Sequence, residues 1–156
     1  MRLTHIDDTG AAHMVDVGDK DVTKRRAVAT ALITTRSEVI EMIAEAGLPK
    51  GDALPVARIA AVMGAKRTSE LIPLCHPLPL TGIDVDFELL DDGVRITGAV
   101  KTVSKTGVEM EALTAVSIAA LTIFDMIKAV DSQAIIGDIK VIEKSGGRSG
   151  DWSRES

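Results

Sequence analysis

The feature that most constrains this chain is a long apolar segment with ionisable side chains near both ends. It spans residues 107–129, and every residue in 113–124 is apolar or a small hydroxyl residue. A helix that is apolar on all sides is buried in a core or an interface. Glu111 and Asp125 fall on nearly one line of such a helix, and Lys128 follows one turn later. Charged groups in such surroundings must pair, shift their pKa or face a polar cavity. We therefore expect functional residues on this helix.

Asp125 and Lys128 are the first candidates, because a spacing of three residues lets two helical side chains touch. A salt bridge that closes the helix is the simpler interpretation. Against it, the surrounding sequence is too apolar to solvate the pair, and a dry carboxylate–ammonium pair can have the shifted pKa values that acid and base catalysis needs. Glu111 lies about 21 Å from Asp125 along the helix, so the two cannot act on one small group from one chain. Glu109 is explained by the helix dipole.

Three loops supply the other candidates. Cys75 and His76 lie among the prolines of residues 72–79, which restrict the backbone and hold the imidazole in place. Lys50 precedes a predicted helix N-terminus, an arrangement that can bind an anion. Residues 144–150 resemble a phosphate-binding loop in composition only, since they lack the Walker spacing. Structural roles are the alternative for each loop taken alone.

Composition excludes several classes of protein. The 156 residues are 46% apolar and 26% charged, which predicts one folded domain without a membrane span. The N-terminus lacks a signal peptide, so we expect a cytoplasmic protein. One cysteine and three histidines leave no Cys-rich metal site. A net charge of −5 and three aromatic residues (one Trp, two Phe) argue against nucleic-acid binding. Small basic groups such as residues 24–26 suit a small anionic ligand instead.

Hydrophobic periodicity predicts a ferredoxin-like α+β domain: a split βαβ order, an antiparallel sheet with packed helices, and an additional N-terminal hairpin strand. We expect a single catalytic domain over residues 1–156, with about 1–12 and 147–156 flexible. The predicted strands are residues 14–17, 26–34, 83–89, 94–100 and 138–143. Three helices are predicted: one capped by Ser37, one capped by Asp52 that ends near residue 62, and one that begins at residue 107.

The same segments, in this order, closely resemble the cyclic pyranopterin monophosphate synthase family of molybdenum cofactor biosynthesis. The matching stretches are residues 3–6, 13–17, 50–52, 65–68, 71–78, 105–115, 124–130 and 144–150. The resemblance implies that Asp125 is the catalytic carboxylate, with Lys50 and Lys128 as neighbouring ammonium groups. It implies substrate contacts by Leu74, Cys75, His76, Met110 and Glu111, and we group Glu109 with them. We expect Asp125, Lys128 and His76 to transfer protons, and Arg25, Lys66 and Lys144 to hold a triphosphate.

The resemblance also implies a reaction. Members of the family act on a cyclised guanosine triphosphate, 3′,8-cyclo-7,8-dihydro-GTP, and form cyclic pyranopterin monophosphate with loss of pyrophosphate, which is a phosphorus–oxygen lyase reaction. The family assembles as a hexamer, a trimer of dimers, with the site shared between subunits. We expect no cofactor and no protein metal site, and leave open whether Mg²⁺ accompanies the triphosphate. The alternative from another class is a regulatory module that binds a nucleotide triphosphate without turnover.

Overall fold

A computed structural model describes residues 2–155 of the chain. Its elements in chain order are β1 (Thr23–Thr34), α1 (Ser37–Ala44), α2 (Ala53–Lys66), α3 (Thr68–Leu71), β2 (Leu80–Leu89), β3 (Gly93–Ser104), α4 (Glu109–Ile127), β4 (Ile135–Ser145) and β5 (Trp152–Ser153). The sheet has the order β2-β3-β1-β4-β5, and every neighbouring pair is antiparallel. The first four strands and the helices between them have the split βαβ arrangement, so the predicted ferredoxin-like α+β class is confirmed.

Helix α4 has no polar face because it packs between the sheet and α2. Small residues make this close packing feasible: a Cβ added at Gly98 of β3 would lie 3.0 Å from a Val116 methyl carbon, and one at Gly64 of α2 would lie 2.8 Å from Ile118. The alanines of β1 that face the helices are fully buried for the same reason. Long apolar side chains at these positions would hold the layers apart.

Length and composition alone would let α4 cross a membrane, and it is the one such helix within residues 2–155. In the fold, 56% of its most apolar window is buried against the rest of the chain. The core helix of a globular domain has this property, so the composition of α4 is explained by packing.

The predicted N-terminal hairpin strand at residues 14–17 is wrong, because this segment is irregular in the structure. Strand β1 already pairs with β3 on one side and with β4 on the other, which leaves residues 14–17 no free edge on it. Further upstream, an isolated bridge joins Ile6 to Ala12 and closes a small loop.

Several predicted element boundaries also shift. Ser37 is the first residue of α1 rather than its cap, which is Arg36. Asp52 occupies the N-cap of α2 as predicted, but its side chain makes no capping hydrogen bond, and the helix continues to Lys66. Tertiary contacts with α4 carry α2 past the predicted end near residue 62.

The C-terminal tail folds back on the sheet. Gly146, Gly147 and Gly150 have φ angles of +88°, +78° and +66°, a region that side chains rarely adopt, and they reverse the chain. Trp152 then pairs with Lys144, which makes β5 the edge strand beyond β4. The single-domain boundaries and the flexibility of residues 1–12 and 147–156 stay predictions.

Candidate active site

A cavity of about 490 Å³ lies at the N-terminal end of α4. Three parts of the chain form it: the N-terminal segment, the proline-restricted loop before β2, and the first turn of α4 with the residues that precede it. The lining residues are Thr4, His5, Val15, Val17, Lys20, Leu74, Cys75, His76, Leu78, Thr106, Gly107, Glu109, Met110 and Glu111. Its volume falls in the range typical of sites for small organic ligands.

The surroundings of Glu111 and Cys75 raise the pKa of both side chains. Glu111 is 4% exposed, and burial, with a smaller contribution from Glu109, raises the pKa of its carboxyl group. Burial, and then the charge of Glu111, raises the pKa of the Cys75 thiol. Glu109 is half-buried and forms an ion pair with Lys144 at 3.4 Å. The cavity therefore offers one carboxyl group that favours its protonated form beside a second that is paired with an ammonium group.

A second, smaller cavity of about 280 Å³ adjoins the first through Lys20, which lines both. Arg25 and Arg148 contribute two further cations to it. Arg25 is held by hydrogen bonds that its guanidinium donates to the carbonyl oxygens of Ser104 and Lys105, both at 3.3 Å. Such a cluster of cations is suited to phosphate groups.

The glycine-rich loop packs directly on this cluster. A Cβ added at Gly147 would lie 2.1 Å from a terminal nitrogen of Arg25, so a side chain at this position would displace the guanidinium. Gly147 therefore lets the loop approach Arg25 closely.

Asp125 lies at the other end of α4, between two lysines. Lys128 Nζ is 2.9 Å from one carboxylate oxygen, and Lys50 Nζ donates to both oxygens at 3.0 and 2.9 Å. These hydrogen bonds, that from Lys128 first, lower the pKa of Asp125. The three side chains are 45–53% exposed, so the expectation of a dry pocket is wrong for the single chain. Their neighbours Ile123 and Ile127 face the core, which turns the charged side chains outward.

The structure thus sorts the predicted site residues into two groups at opposite ends of α4. Leu74, Cys75, His76, Met110, Glu109 and Glu111 line the large cavity, with Arg25 and Lys144 near it. Lys50, Asp125 and Lys128 form the other group. Lys66 is exposed in the last turn of α2 and lines neither of the two cavities near Arg25. Within residues 2–155, no group of three or more His, Cys, Asp or Glu side chains is arranged to hold a metal ion.

Sequence reasoning missed the N-terminal wall of the cavity and two of the cations. Thr4, His5 and Lys20 were not assigned, and Arg148 was noted only as part of a loop. Local sequence carries little signal for these positions, because the N-terminal segment has no periodicity that would fix its path.

The domain is ferredoxin-like, and its nucleotide-sized cavity is lined by carboxyl, thiol, imidazole and ammonium groups. This combination defines the class of small-molecule enzymes and nucleotide-binding domains. Comparison with known proteins specifies the family. The chain belongs to the MoaC family, whose family model matches residues 14–147.

Curated relatives are similar over nearly the whole chain. A protein of Corynebacterium glutamicum named cyclic pyranopterin monophosphate synthase is 62% identical over 152 residues, which is 97% of both chains. One of the same name from Streptomyces avermitilis is 60% identical over 98% of this chain and 90% of its own length. A Mycobacterium tuberculosis protein named cyclic pyranopterin monophosphate synthase 2 is 59% identical over 97% of this chain and 91% of its own.

Proposed function

We propose that this chain converts 3′,8-cyclo-7,8-dihydro-GTP into cyclic pyranopterin monophosphate and pyrophosphate, in molybdenum cofactor biosynthesis. It would act as a phosphorus–oxygen lyase. The observation that carries the proposal is the near full-length similarity, at about 60% identity, to relatives that bear the synthase name. The two clusters of ionisable groups on α4 support it, because the reaction needs both proton transfer and phosphate binding.

In this proposal the large cavity receives the ring system and sugar of the nucleotide, and the cations hold its phosphates. Leu74, Met110 and Cys75 supply apolar surface for the rings, while His76 and Glu111 supply hydrogen-bonding groups. Arg25 and Lys144 bind the triphosphate, helped by Lys20 and Arg148, which line the same region. Lys66 has no role that the geometry supports. The protein contributes no cofactor, and Mg²⁺ would enter only with the triphosphate.

Asp125 and its two lysines are the proposed proton-transfer group. A carboxylate with a lowered pKa stays ionised at neutral pH, and it holds Lys50 and Lys128 beside the substrate by hydrogen bonds and ion pairs. In the phosphoryl step, a sugar hydroxyl forms a bond to the α-phosphorus, the bond from that phosphorus to the bridging oxygen breaks, and pyrophosphate leaves. The proton of the hydroxyl passes to a base of this group, and the ammonium groups offset the charge on pyrophosphate.

A second copy of the chain is needed to bring the two groups together. They are about 21 Å apart on one helix, which is too far for joint action on one reacting centre. A two-fold axis near the middle of α4 would place the Asp125 end of one copy beside the cavity of the other. Exposed apolar side chains on α2 and α4, Ile59 at 63% and Leu121 at 56%, offer a surface for this contact. We propose a homohexamer of three such dimers in the cytoplasm, the compartment that supplies guanosine triphosphate.

Replacement of Lys128 by alanine tests the proposed function. We expect pyrophosphate release to fall at least about 100-fold, the usual contribution of a positioned proton-transfer group. The assay incubates the protein with the cyclised nucleotide and measures pyrophosphate together with the fluorescent pterin formed after oxidation. Lys101→Ala, a change of an exposed lysine on β3, is the matched control and should retain wild-type turnover.

Two results would contradict the proposal. Near-normal turnover by a folded Lys128→Ala variant would remove Lys128 from the mechanism. If the wild-type protein binds the cyclised nucleotide and returns it unchanged, the chain is a regulatory module instead.

A further inference from the structure

We propose that His5 is a substrate-binding residue whose imidazole hydrogen-bonds an anionic oxygen of the bound nucleotide. The inference rests on the proposed function for the identity of the ligand. It adds a contact from the N-terminal segment to a site otherwise built from the loop before β2 and from α4.

The N-terminal segment forms one wall of the large cavity. Thr4, His5, Val15, Val17 and Lys20 all line it, together with the loop that carries His76 and the first turn of α4. A ligand that fills the cavity therefore contacts this wall. A cavity without it would be an open groove beside α4.

The wall and the helix end carry complementary chemistry. The helix end presents two carboxyl groups, those of Glu109 and Glu111, whereas the N-terminal wall presents hydrogen-bond donors: the imidazole of His5, the ammonium group of Lys20 and the hydroxyl of Thr4. A polyanionic nucleotide needs donors around its phosphates, and a carboxylate would repel them. The donor-bearing wall is therefore the side of the cavity suited to anionic oxygens.

The ring of His5 interacts with the hydroxyl group of its neighbour Thr4. Thr4 Oγ1 lies 3.0 Å from His5 Nδ1, and a hydroxyl can donate to or accept from that nitrogen. This interaction occupies Nδ1 and leaves Nε2 available to a ligand. His5 itself is exposed, so binding can bury the ring and add a contact without breaking a core interaction.

The backbone that carries His5 also makes hydrogen bonds within its loop. The His13 N–H donates to the His5 carbonyl oxygen at 2.8 Å, next to the bridge between Ile6 and Ala12. Inside this loop, the Asp7 carboxylate accepts hydrogen bonds from the backbone N–H groups of Thr9 and Ala11 and from the Thr9 hydroxyl. The Thr9 hydroxyl bond is the main cause of a lowered Asp7 pKa. Hydrogen bonds that close the loop in this way limit the entropy that it loses on binding.

The kinetic test compares His5→Gln with His13→Gln. His13 lies in the same loop but does not line the cavity, so its variant is a matched control with wild-type kinetics expected. We expect His5→Gln to raise KM for the cyclised nucleotide about tenfold or more, the usual value of a hydrogen bond to a charged group, and to change kcat less than about threefold. Thr4→Val, which frees His5 Nδ1, should raise KM by a smaller factor.

Imidazole NMR supplies a readout that does not depend on turnover. The chain has three histidines, so their signals can be assigned by single substitutions. On addition of the cyclised nucleotide to the Asp125→Asn variant, which should bind without reacting, we expect the His5 and His76 signals to shift and the His13 signal to stay.

The outcomes separate this inference from the proposed function. A wild-type protein that releases pyrophosphate, with an unchanged KM in His5→Gln and an unmoved His5 signal, would overturn the role of His5 alone. A loss of kcat in His5→Gln without a rise in KM would also overturn the binding role. Failure of the wild-type protein to release pyrophosphate would overturn the proposed function, while the NMR experiment would still test whether His5 contacts the nucleotide.

Discussion

At the scale of single residues, Glu111 and Asp125 show how one helix shifts two carboxyl groups in opposite directions. Burial raises the pKa of Glu111, whereas hydrogen bonds from Lys128 and then Lys50 lower that of Asp125. Carboxyl groups whose pKa values are driven apart can take different chemical roles at the same pH. The carboxyl group of Glu111 therefore takes up a proton more readily than that of Asp125, which suits the two groups to different roles toward a nucleotide.

This difference predicts separate pH dependences. As the pH rises through the raised pKa of Glu111, the new carboxylate should repel the nucleotide, so kcat/KM should fall on the alkaline side of that pKa. Glu111→Gln, which stays neutral, should remove this limb of the pH–rate profile. Asp125→Asn should lower kcat by roughly 100-fold or more at every pH above the lowered pKa of Asp125, because the ionised form is dominant there. If the alkaline fall in kcat/KM is unchanged in Glu111→Gln, a group other than Glu111 causes it.

At the scale of elements, the contact between α2 and α4 depends on a glycine. Gly64 has no Cβ, and Ile118 of α4 occupies the space where one would lie. Because α4 carries catalytic candidates at both ends, the spacing between these helices sets the position of both groups. Glycine inside a helix is unfavourable by about 1 kcal/mol relative to alanine, and here packing outweighs that propensity.

Gly64→Ala tests this conclusion. The added Cβ would lie 2.8 Å from Ile118 Cγ1 and 3.0 Å from its Cβ, so α4 or Ile118 must move. Overpacking costs about 1–3 kcal/mol, which should exceed the gain in helix propensity and lower the free energy of unfolding by about 1 kcal/mol net. Denaturant titration measures it, with Gly137→Ala as the control, because a Cβ there meets no atom within 4 Å.

A second substitution makes the assignment specific. Ile118→Ala should be less destabilising in the Gly64→Ala background than in the wild type, because it removes the closest contact, that of the added Cβ with Ile118 Cγ1. Additive effects of the two changes would show that the contact is not responsible.

At the scale of the whole molecule, the predicted site residues of one chain form two groups at opposite ends of α4, and in the proposed function each group is a half-site. The group around Asp125 is half exposed, and the cavity around Glu111 lies at the far end of the same helix. Of the ion pairs formed within residues 2–155, none involves Glu111, so the cationic group of a second copy could be placed beside it without displacing a partner.

Mixed assemblies test the shared site. Asp125→Asn and His76→Ala should each be inactive alone, because each alters one half-site. In a mixed dimer, one of the two sites combines an unmodified Asp125 group with an unmodified cavity. Chains that are co-expressed with different tags should therefore recover about a quarter of wild-type activity. Co-expression of Asp125→Asn with Lys128→Ala is the control and should recover nothing, since both changes lie in the same half-site. Absence of recovery in the first mixture would place the site within one chain.

The sequence predicted much of the fold because its periodic signals are local. The predicted strands over residues 83–89 and 94–100 depend on neighbours in sequence, and both lie within strands of the structure, β2 and β3. Residues 14–17 were misassigned because alternation alone cannot say whether a strand has a partner edge. The pairing of Trp152 with Lys144 was missed because it depends on three glycines that reverse the chain.

The sequence by itself determined which chemical groups this protein carries, that α4 is buried, and that Glu111 and Asp125 are far apart on it. These properties follow from residue identity and helical geometry. Only the tertiary structure decided which of these groups share a cavity, and that Thr4 and His5 line the one at the N-terminal end of α4. Such contacts join residues distant in the chain, and their formation depends on how whole layers pack rather than on any local pattern.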